Sequence, residues 1–279
     1  MQSNSALSNS AQSNSIPSNS KQSKTEQGNE HHLTELLSRV GESFDSEASM
    51  RSWLKEKGVD CTQADGAKGL QSLYGKIEKG EATLVYSQSD QRVYRGATTA
   101  RISTEVTIHG ERYPLFELCQ IFLENKIEPE SLAISDPEQV PDMLASISIR
   151  NAHVRSSQEL WETFIGNEDP LLATRRGIKE ELGLSDEEAE RVDVRMLGSG
   201  IEYEEPIDWP GIHSVLRIHD AHALLPEEIS KPVFVELEKG EQLSIFVATP
   251  NSQVLRGIMK MVIPRITIKR KPIARVEGT

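Results

Sequence analysis

The chain is short of cysteine, of aromatic side chains, of long apolar runs and of positive charge, and each shortage excludes something. Cys61 and Cys119 are the only two cysteines among 279 residues and stand far apart, so neither a disulfide framework nor a closely spaced zinc-binding pair is available. A reducing compartment is the expectation, and the cytoplasm with it. No stretch approaches the roughly 18 consecutive apolar residues of a membrane-spanning helix. The start of the chain carries neither an apolar signal core nor an Arg-rich amphipathic pattern. Against 43 Asp and Glu there are 31 Lys and Arg, a formal net charge of −12 that disfavours nucleic acid and anionic membranes as partners. A phosphorylated small molecule would need a metal ion or a local basic patch to offset that repulsion.

Hydrophobic residues make up 37% of the chain, below the usual globular share, so part of it is expected not to fold. That part is recognisable as a five-residue repeat: QSNSA, LSNSA, QSNSI, PSNSK and a degraded QSKTE. Sequence of this kind has too little apolar surface to offset the entropy of ordering it, about 1 to 2 kcal/mol per residue. Residues 1–29 are therefore read as a disordered tail. In the following segment, 30–80, Leu33, Leu36, Leu37 and Val40 form one helical stripe that Gly41 ends. A second helix fits 46–57, with Asp45 as N-cap, and a third fits 67–79, where Leu70, Leu73, Tyr74 and Ile77 repeat the stripe. These stripes need a covering surface, either the domain that follows or a second copy of the chain in a homodimer.

After Gly80 the period changes from helical to alternating. "ATLVY" and "RVYRGATTARISTEVTI" are rich in β-branched residues, and "HGER" at 109–112 is a turn that folds "STEVTI" back onto "YPLFEL". Leu115, Leu118, Cys119 and Phe122 also fit a helix, so that segment has two readings. Strand signals recur in "RVDVRMLGSGIEY", "HSVLRIHDAHALL" and "PVFVELEKGEQLSIFVAT". One long helix, 170–182, interrupts them, with Asp169 as N-cap, Pro170 in the first turn and Gly183 past the end. The expectation is an α+β fold, an α/β/α arrangement with a mixed sheet. An extension, 251–279, follows; Pro264 breaks it, and it ends in the basic run "KRKPIAR".

Gly177, Glu180 and Glu181 fall on one side of the 170–182 helix. Two carboxylates facing a cleft suffice for Mg²⁺, which takes one or two from the protein and completes its octahedron with water and phosphate oxygens. Without a cleft, the same pair is a solvated face.

The spacing around the helix resembles the Nudix box: Gly, five residues, Glu, seven residues, Arg-Glu, an aliphatic residue, any residue, Glu-Glu, any residue, Gly and an aliphatic residue. Glu168, Arg176, Ile178, Glu180, Glu181, Gly183 and Leu184 match, seven of nine positions. Glu162 stands at the first Gly and Gly177 at the Glu of the Arg-Glu pair. The resemblance implies a Nudix-like domain over 81–250 that hydrolyses a nucleoside diphosphate linked to another moiety with Mg²⁺ or Mn²⁺. Glu180 and Glu181 would hold the metal, Arg176 would orient carboxylates and Glu168 would support Arg176. Gly177 cannot do the work of its counterpart. Glu159, Glu162, Glu236, Glu238 and Glu241 are candidate replacements from outside the helix. Alternatively, Gly177 marks a close contact between helix and strand, in a domain that keeps the fold and binds a ligand without turnover. For substrate, Tyr203 and Trp209 in "YEEPIDWPGIHS" are candidates to stack on a base, against a packed turn with Trp209 in the core. His219 and His222 of "HDAH" would point to opposite faces of a strand, which argues against a shared metal.

Overall fold

Helical periodicity ahead of Gly80 becomes four helices: α1 (Lys24–Ser38), α2 (Glu47–Glu56), the single turn α3 (Cys61–Ala64) and α4 (Leu70–Glu78). The computed structural model of the chain describes residues 24–65, 69–127, 137–204, 208–238, 240–248 and 252–262. The repeat ahead of residue 24 and the basic run near the C-terminus lie outside the described residues. α1 begins inside the segment read as tail and ends before Val40, which is exposed. The cap of α2 is Ser46, one residue after the expected Asp45; it closes a capping box with Ser49.

The helices find their covering surface within the chain. Met50, Leu54, Leu70 and Leu73 pack with Leu84, Val93, Trp209 and Ile212, while Leu33 and Leu36 of α1 pack with Val85, Tyr94 and Val215. Because neighbours on a strand face opposite ways, Leu84 with Val93 and Val85 with Tyr94 mark two faces of one sheet, each covered by helix.

That sheet is built on one long strand. β1 (Thr83–Ser87) precedes β2 (Arg92–Ile108), whose buried and half-buried positions continue along its whole length. The expected turn forms: His109 and Gly110, at φ 53° and 76°, both take the left-handed conformation of a tight hairpin, and β3 (Glu111–Pro114) returns along the end of β2. The chain then leaves the sheet. β4 (Phe116–Leu123) is a strand, not the alternative helix, because Cys119, Ile121 and Leu123 bury one face with a period of two. After α5 (Val140–Ser146) come β5 (Ile149–Ser157) and β6 (Glu159–Thr163), then α6 (Pro170–Leu182), α7 (Asp186–Arg191), β7 (Asp193–Glu204) and β8 (Ile212–Leu225). A hairpin of β9 (Val233–Glu238) and β10 (Gln242–Val247) leads to α8 (Ser252–Val262).

The strands separate into two sheets. In the first, β1, β6 and β3 pair in succession along one edge of β2, β8 runs parallel to its other edge, and β7 lies antiparallel outside β8. The second is antiparallel, in the order β5-β4-β10-β9. The class is α+β with a mixed sheet. Ala173, Ile178 and Leu182 of α6 share a core with the first sheet and with Phe234 and Phe246 of the second. The far face of the second sheet is closed by Val140 and Leu144 of α5 and by Ile258 and Val262 of α8. Among the described residues no helix is long and apolar enough to cross a membrane.

Trp209 joins the N-terminal helices to the first sheet. Its ring is buried, its Nε1 donates to the Gly69 carbonyl at 2.9 Å, and the Arg95 guanidinium lies 5.2 Å from the ring centre. Trp209→Ala is expected to cost about 3 to 5 kcal/mol in urea unfolding, with helix and sheet signals lost in one transition. Separate melting of the helical segment in the unmutated protein would contradict the shared core.

Candidate functional site

The caps expected from the sequence place α6. Asp169 Oδ1 accepts the N–H groups of Leu171 and Leu172 at 2.9 and 3.2 Å, Pro170 occupies the first turn, and Gly183 ends the helix at φ 61°. The adjacent arginines then diverge. Arg175 Nη1 donates to the Ala189 and Val192 carbonyls at 2.7 and 3.1 Å and ties α6 to the end of α7.

Arg176 instead spans the junction of β6 and α6. Its Nε and Nη2 donate to Glu168 Oε1 and Oε2 at 3.1 and 2.8 Å, a bidentate pair, and Nη2 also reaches the Thr163 carbonyl at 3.0 Å. Nη1 donates to Glu162 Oε1 at 2.5 Å and lies 3.6 Å from Glu180 Oε2. Arg176 is held well above its ordinary range, first by the bond to Glu168. Glu168 is held below the usual carboxylate range by the same bond. Glu162 goes the other way despite its short bond: burial, with repulsion from Glu180 and Glu168, exceeds what the shared Arg176 returns.

Gly177 lies buried against this group. A Cβ added there would stand 2.5 Å from Glu162 Cβ and 2.8 Å from its Cγ. The close contact between helix and strand is thus a contact with one side chain, Glu162.

Glu180 and Glu181, at the end of α6, face the polar half of the second sheet across a cleft of about 690 Å³, a size suited to a small-molecule ligand. On β9, Glu236 and Glu238 line it, while Val233, Val235 and Leu237 turn into the core beyond. Lys76 and Lys79 of α4 border the cleft beside Glu81, with Lys76 Nζ 2.9 Å from Glu81 Oε2. Burial first, then the charges of Glu117, Glu162, Glu238 and Glu180, push Glu181 up to about 7. Burial first, then Glu181, Glu238, Glu117 and Glu180, push Glu236 up to about 8.

The donor chemistry fits a hard divalent cation: carboxylates crowded together at the cost of holding protons near neutrality. Among the described residues no three His, Cys, Asp or Glu side chains are already arranged around a metal position. Mg²⁺ does not require this, since it is commonly held by one or two carboxylates plus water and substrate phosphate.

Of the candidate replacements, Glu162, Glu236 and Glu238 line the cleft, whereas Glu159 and Glu241 do not. Glu241 pairs with Lys126 at 3.0 Å. Neither Tyr203 nor Trp209 lines it. Trp209 takes the packed alternative, and Tyr203 stacks on His213, ring centres 5.8 Å apart, with its hydroxyl 2.5 Å from His213 Nδ1. His219 stacks on Phe164 and His222 lies 3.5 Å from Glu105, so they form no shared site. The aromatic residue that does line the cleft is Trp161, 43% exposed, which no local pattern in the sequence marks. Lys76 and Lys79 carry no sequence signal either, because lysines beside an amphipathic stripe look like ordinary solvated residues.

Both raised carboxyl groups have a definite effect on stability. Between the ordinary carboxyl range and about pH 8 these two groups hold more protons in the folded chain than in the unfolded one, so their contribution to stability falls as pH rises through that window. Without divalent cations, the thermal midpoint is expected to drop from about pH 5 to about pH 8, and Glu236→Gln to flatten the slope. A midpoint rising across that range in the unmutated protein would contradict the crowding.

In comparisons with known proteins, no family model and no curated protein matches the chain.

Proposed function

We propose that the chain is a Nudix-type hydrolase, with an α/β/α Nudix-like domain, that cleaves a nucleoside diphosphate linked to another moiety using Mg²⁺ or Mn²⁺. The observation that carries the reading is the meeting of Glu180 and Glu181 with carboxylates from β6 and β9 in one cleft bordered by Lys76 and Lys79. Glu180 and Glu181 are the metal-holding residues. A bound divalent ion supplies positive charge to phosphoryl oxygens and acidifies a water molecule.

The chain's own residues supply the remainder. Arg176, clamped by Glu168 and Glu162, fixes the β6–α6 junction so that the carboxylates keep their spacing. Glu181, with Glu180, would hold the ion beside the attacking water, so its part in removing the proton runs through that ion. Lys76 and Lys79, which share Glu81 at 2.9 and 3.7 Å, leave one net positive charge for phosphate oxygens, and the half-exposed indole of Trp161, with the Arg101 guanidinium 5.7 Å from its centre, offers surface for a base. The acidic interior of the cleft and the net charge of −12 disfavour nucleic acid as substrate. Cys61 and Cys119, both buried and unpaired, are in keeping with a reducing compartment such as the cytoplasm.

A second reading, a ligand-binding or regulatory module without turnover, is favoured by Gly177 alone. Hydrolysis measured across nucleotide sugars, dinucleotides and oxidised nucleotides, with and without Mg²⁺ or Mn²⁺, separates the two. Sustained metal-dependent turnover excludes the binding module; saturable binding without product excludes the hydrolase. Given turnover, Glu181→Gln is expected to lower kcat by about 100-fold or more while the protein stays folded. Trp161→Ala is expected to raise KM about tenfold with kcat little changed, as loss of one stacked base predicts.

A further inference from the structure

We propose that β7 is the surface through which two copies of the chain associate, by antiparallel pairing of β7 with β7 of a second copy about a two-fold axis at Ser199. The first sheets of the two copies then join into one. The inference is independent of the reading of the cleft, to which β7 contributes no lining residue.

β7 is an edge strand with little of the usual protection. It spans 12 residues, Asp193–Glu204, and β8 pairs with one side of it; no strand among the described residues pairs with the other. No residue of β7 is buried, and Leu197 is 65% exposed. An edge of this length is a template for another strand, and proteins commonly blunt it with lysine, proline or a covering segment. β7 holds neither lysine nor proline, and its middle, Met196 to Ile201, carries no charge. Its one irregularity is a bulge between Met196 and Gly198, where Leu197 is the extra residue against β8.

The bulge makes the strand complementary to itself. Arg195 and Glu202 are separated by an odd number of positions, which in a regular strand turns them to opposite faces. With Leu197 as the extra residue they share one face: Arg195 stands opposite His222 and Glu202 opposite Leu216, an even separation along β8. Met196 and Ile201, opposite Ala221 and Arg217, share the other face. Directly opposite residues of an antiparallel pair lie on the same face. Setting Ser199 against Ser199 therefore puts Gly198 against Gly200, Met196 against Ile201 and Arg195 against Glu202, each match occurring twice, as a two-fold axis requires. The chemistry agrees with the register: opposite charges meet, apolar side chains meet, and Gly198, Ser199 and Gly200 leave room for the backbones to close. Arg195 donates to Asp193 of its own chain through Nε and Nη2 at 3.2 and 2.8 Å, and Glu202 accepts from Arg101 through Oε1 at 3.0 Å. Arg195 Nη1 and Glu202 Oε2 remain for the second copy. At the ends Asp193 meets Glu204, alike in charge, and the Arg195 bonded to Asp193 offsets this. A partner other than the chain itself would need no such match between the two halves of one strand.

Sedimentation equilibrium of the full chain at micromolar concentrations reads the assembly, and circular dichroism checks folding. The unmutated chain is expected to form a dimer. Arg195→Glu sets glutamate against glutamate at both matches, and Glu202→Arg sets arginine against arginine; each is expected to weaken the dimer about tenfold or more. An equimolar mixture of the two variants restores both opposite-charge matches and is expected to recover the dimer as a mixed species. Loss of the same-chain partners Asp193 and Arg101 cannot produce that recovery. If either variant folds poorly, Ser199→Cys decides. Its thiols meet at the axis, where opposite Cα atoms of an antiparallel pair stand about 4.5 or 5.5 Å apart, inside the range of a disulfide. Cys61 and Cys119 are buried, so mild oxidation is expected to crosslink Ser199→Cys and not Asp193→Cys at the strand end. A monomeric unmutated chain overturns the proposal. So does a mixture no more dimeric than the separate variants, and so does a Ser199→Cys chain that crosslinks no faster than Asp193→Cys.

Discussion

The guanidinium of Arg176 is the constraint on which the cleft depends. It bonds to Glu168 from the loop entering α6, to Glu162 and the Thr163 carbonyl from β6, and approaches Glu180 one turn along the helix. Without that fork, buried carboxylates would face one another with no internal cation between them, and removing one partner from such a group costs far more than the group contributes. The planar, always charged guanidinium can serve three directions at once; a lysine at the same position could not. Holding these groups also fixes the distance from β6 to α6, and that distance decides what fits at Gly177.

Neutralisation stops short of the far wall. Glu181 and Glu236 lie beyond the reach of Arg176, and burial with mutual repulsion leaves both with raised proton affinity. The fold tolerates this because the same elements bury much apolar surface below the cleft, where Ile178, Leu182, Phe234 and Phe246 share a core. The cleft is lined mainly by charged and polar side chains, and the apolar core lies on other positions of the same α6 and β9. Stability and site are thus built from different positions of the same two elements.

Local signals in the sequence were legible where a single segment satisfies itself. The caps Asp169 and Gly183, the turn at His109 and Gly110, and the alternation in "VFVELE" each answer a nearby backbone or solvent requirement, so each appears in neighbouring residues. Segments with two local solutions were harder to read. Leu115 to Phe122 fits helix and strand equally, and pairing with β10 and β5 decided for strand. Tyr203 and Trp209 fit a base-stacking loop and a packed turn alike, and Trp209 fills the gap between helix and sheet, a need that arises only once both are present.

Composition and spacing by themselves determined the α+β class, the bounds and caps of α6 and the acidic pair Glu180–Glu181 on one side of it, because these depend on backbone bonding and on periods of two and 3.6 residues. Tertiary structure decided which carboxylates share a cleft, which aromatic residue borders it, and why residue 177 is a glycine. Glu162 and Gly177 are separated by a loop and the first turns of a helix, and no local rule relates them. Their complementarity exists only at the distance at which Arg176 and the shared core hold β6 against α6.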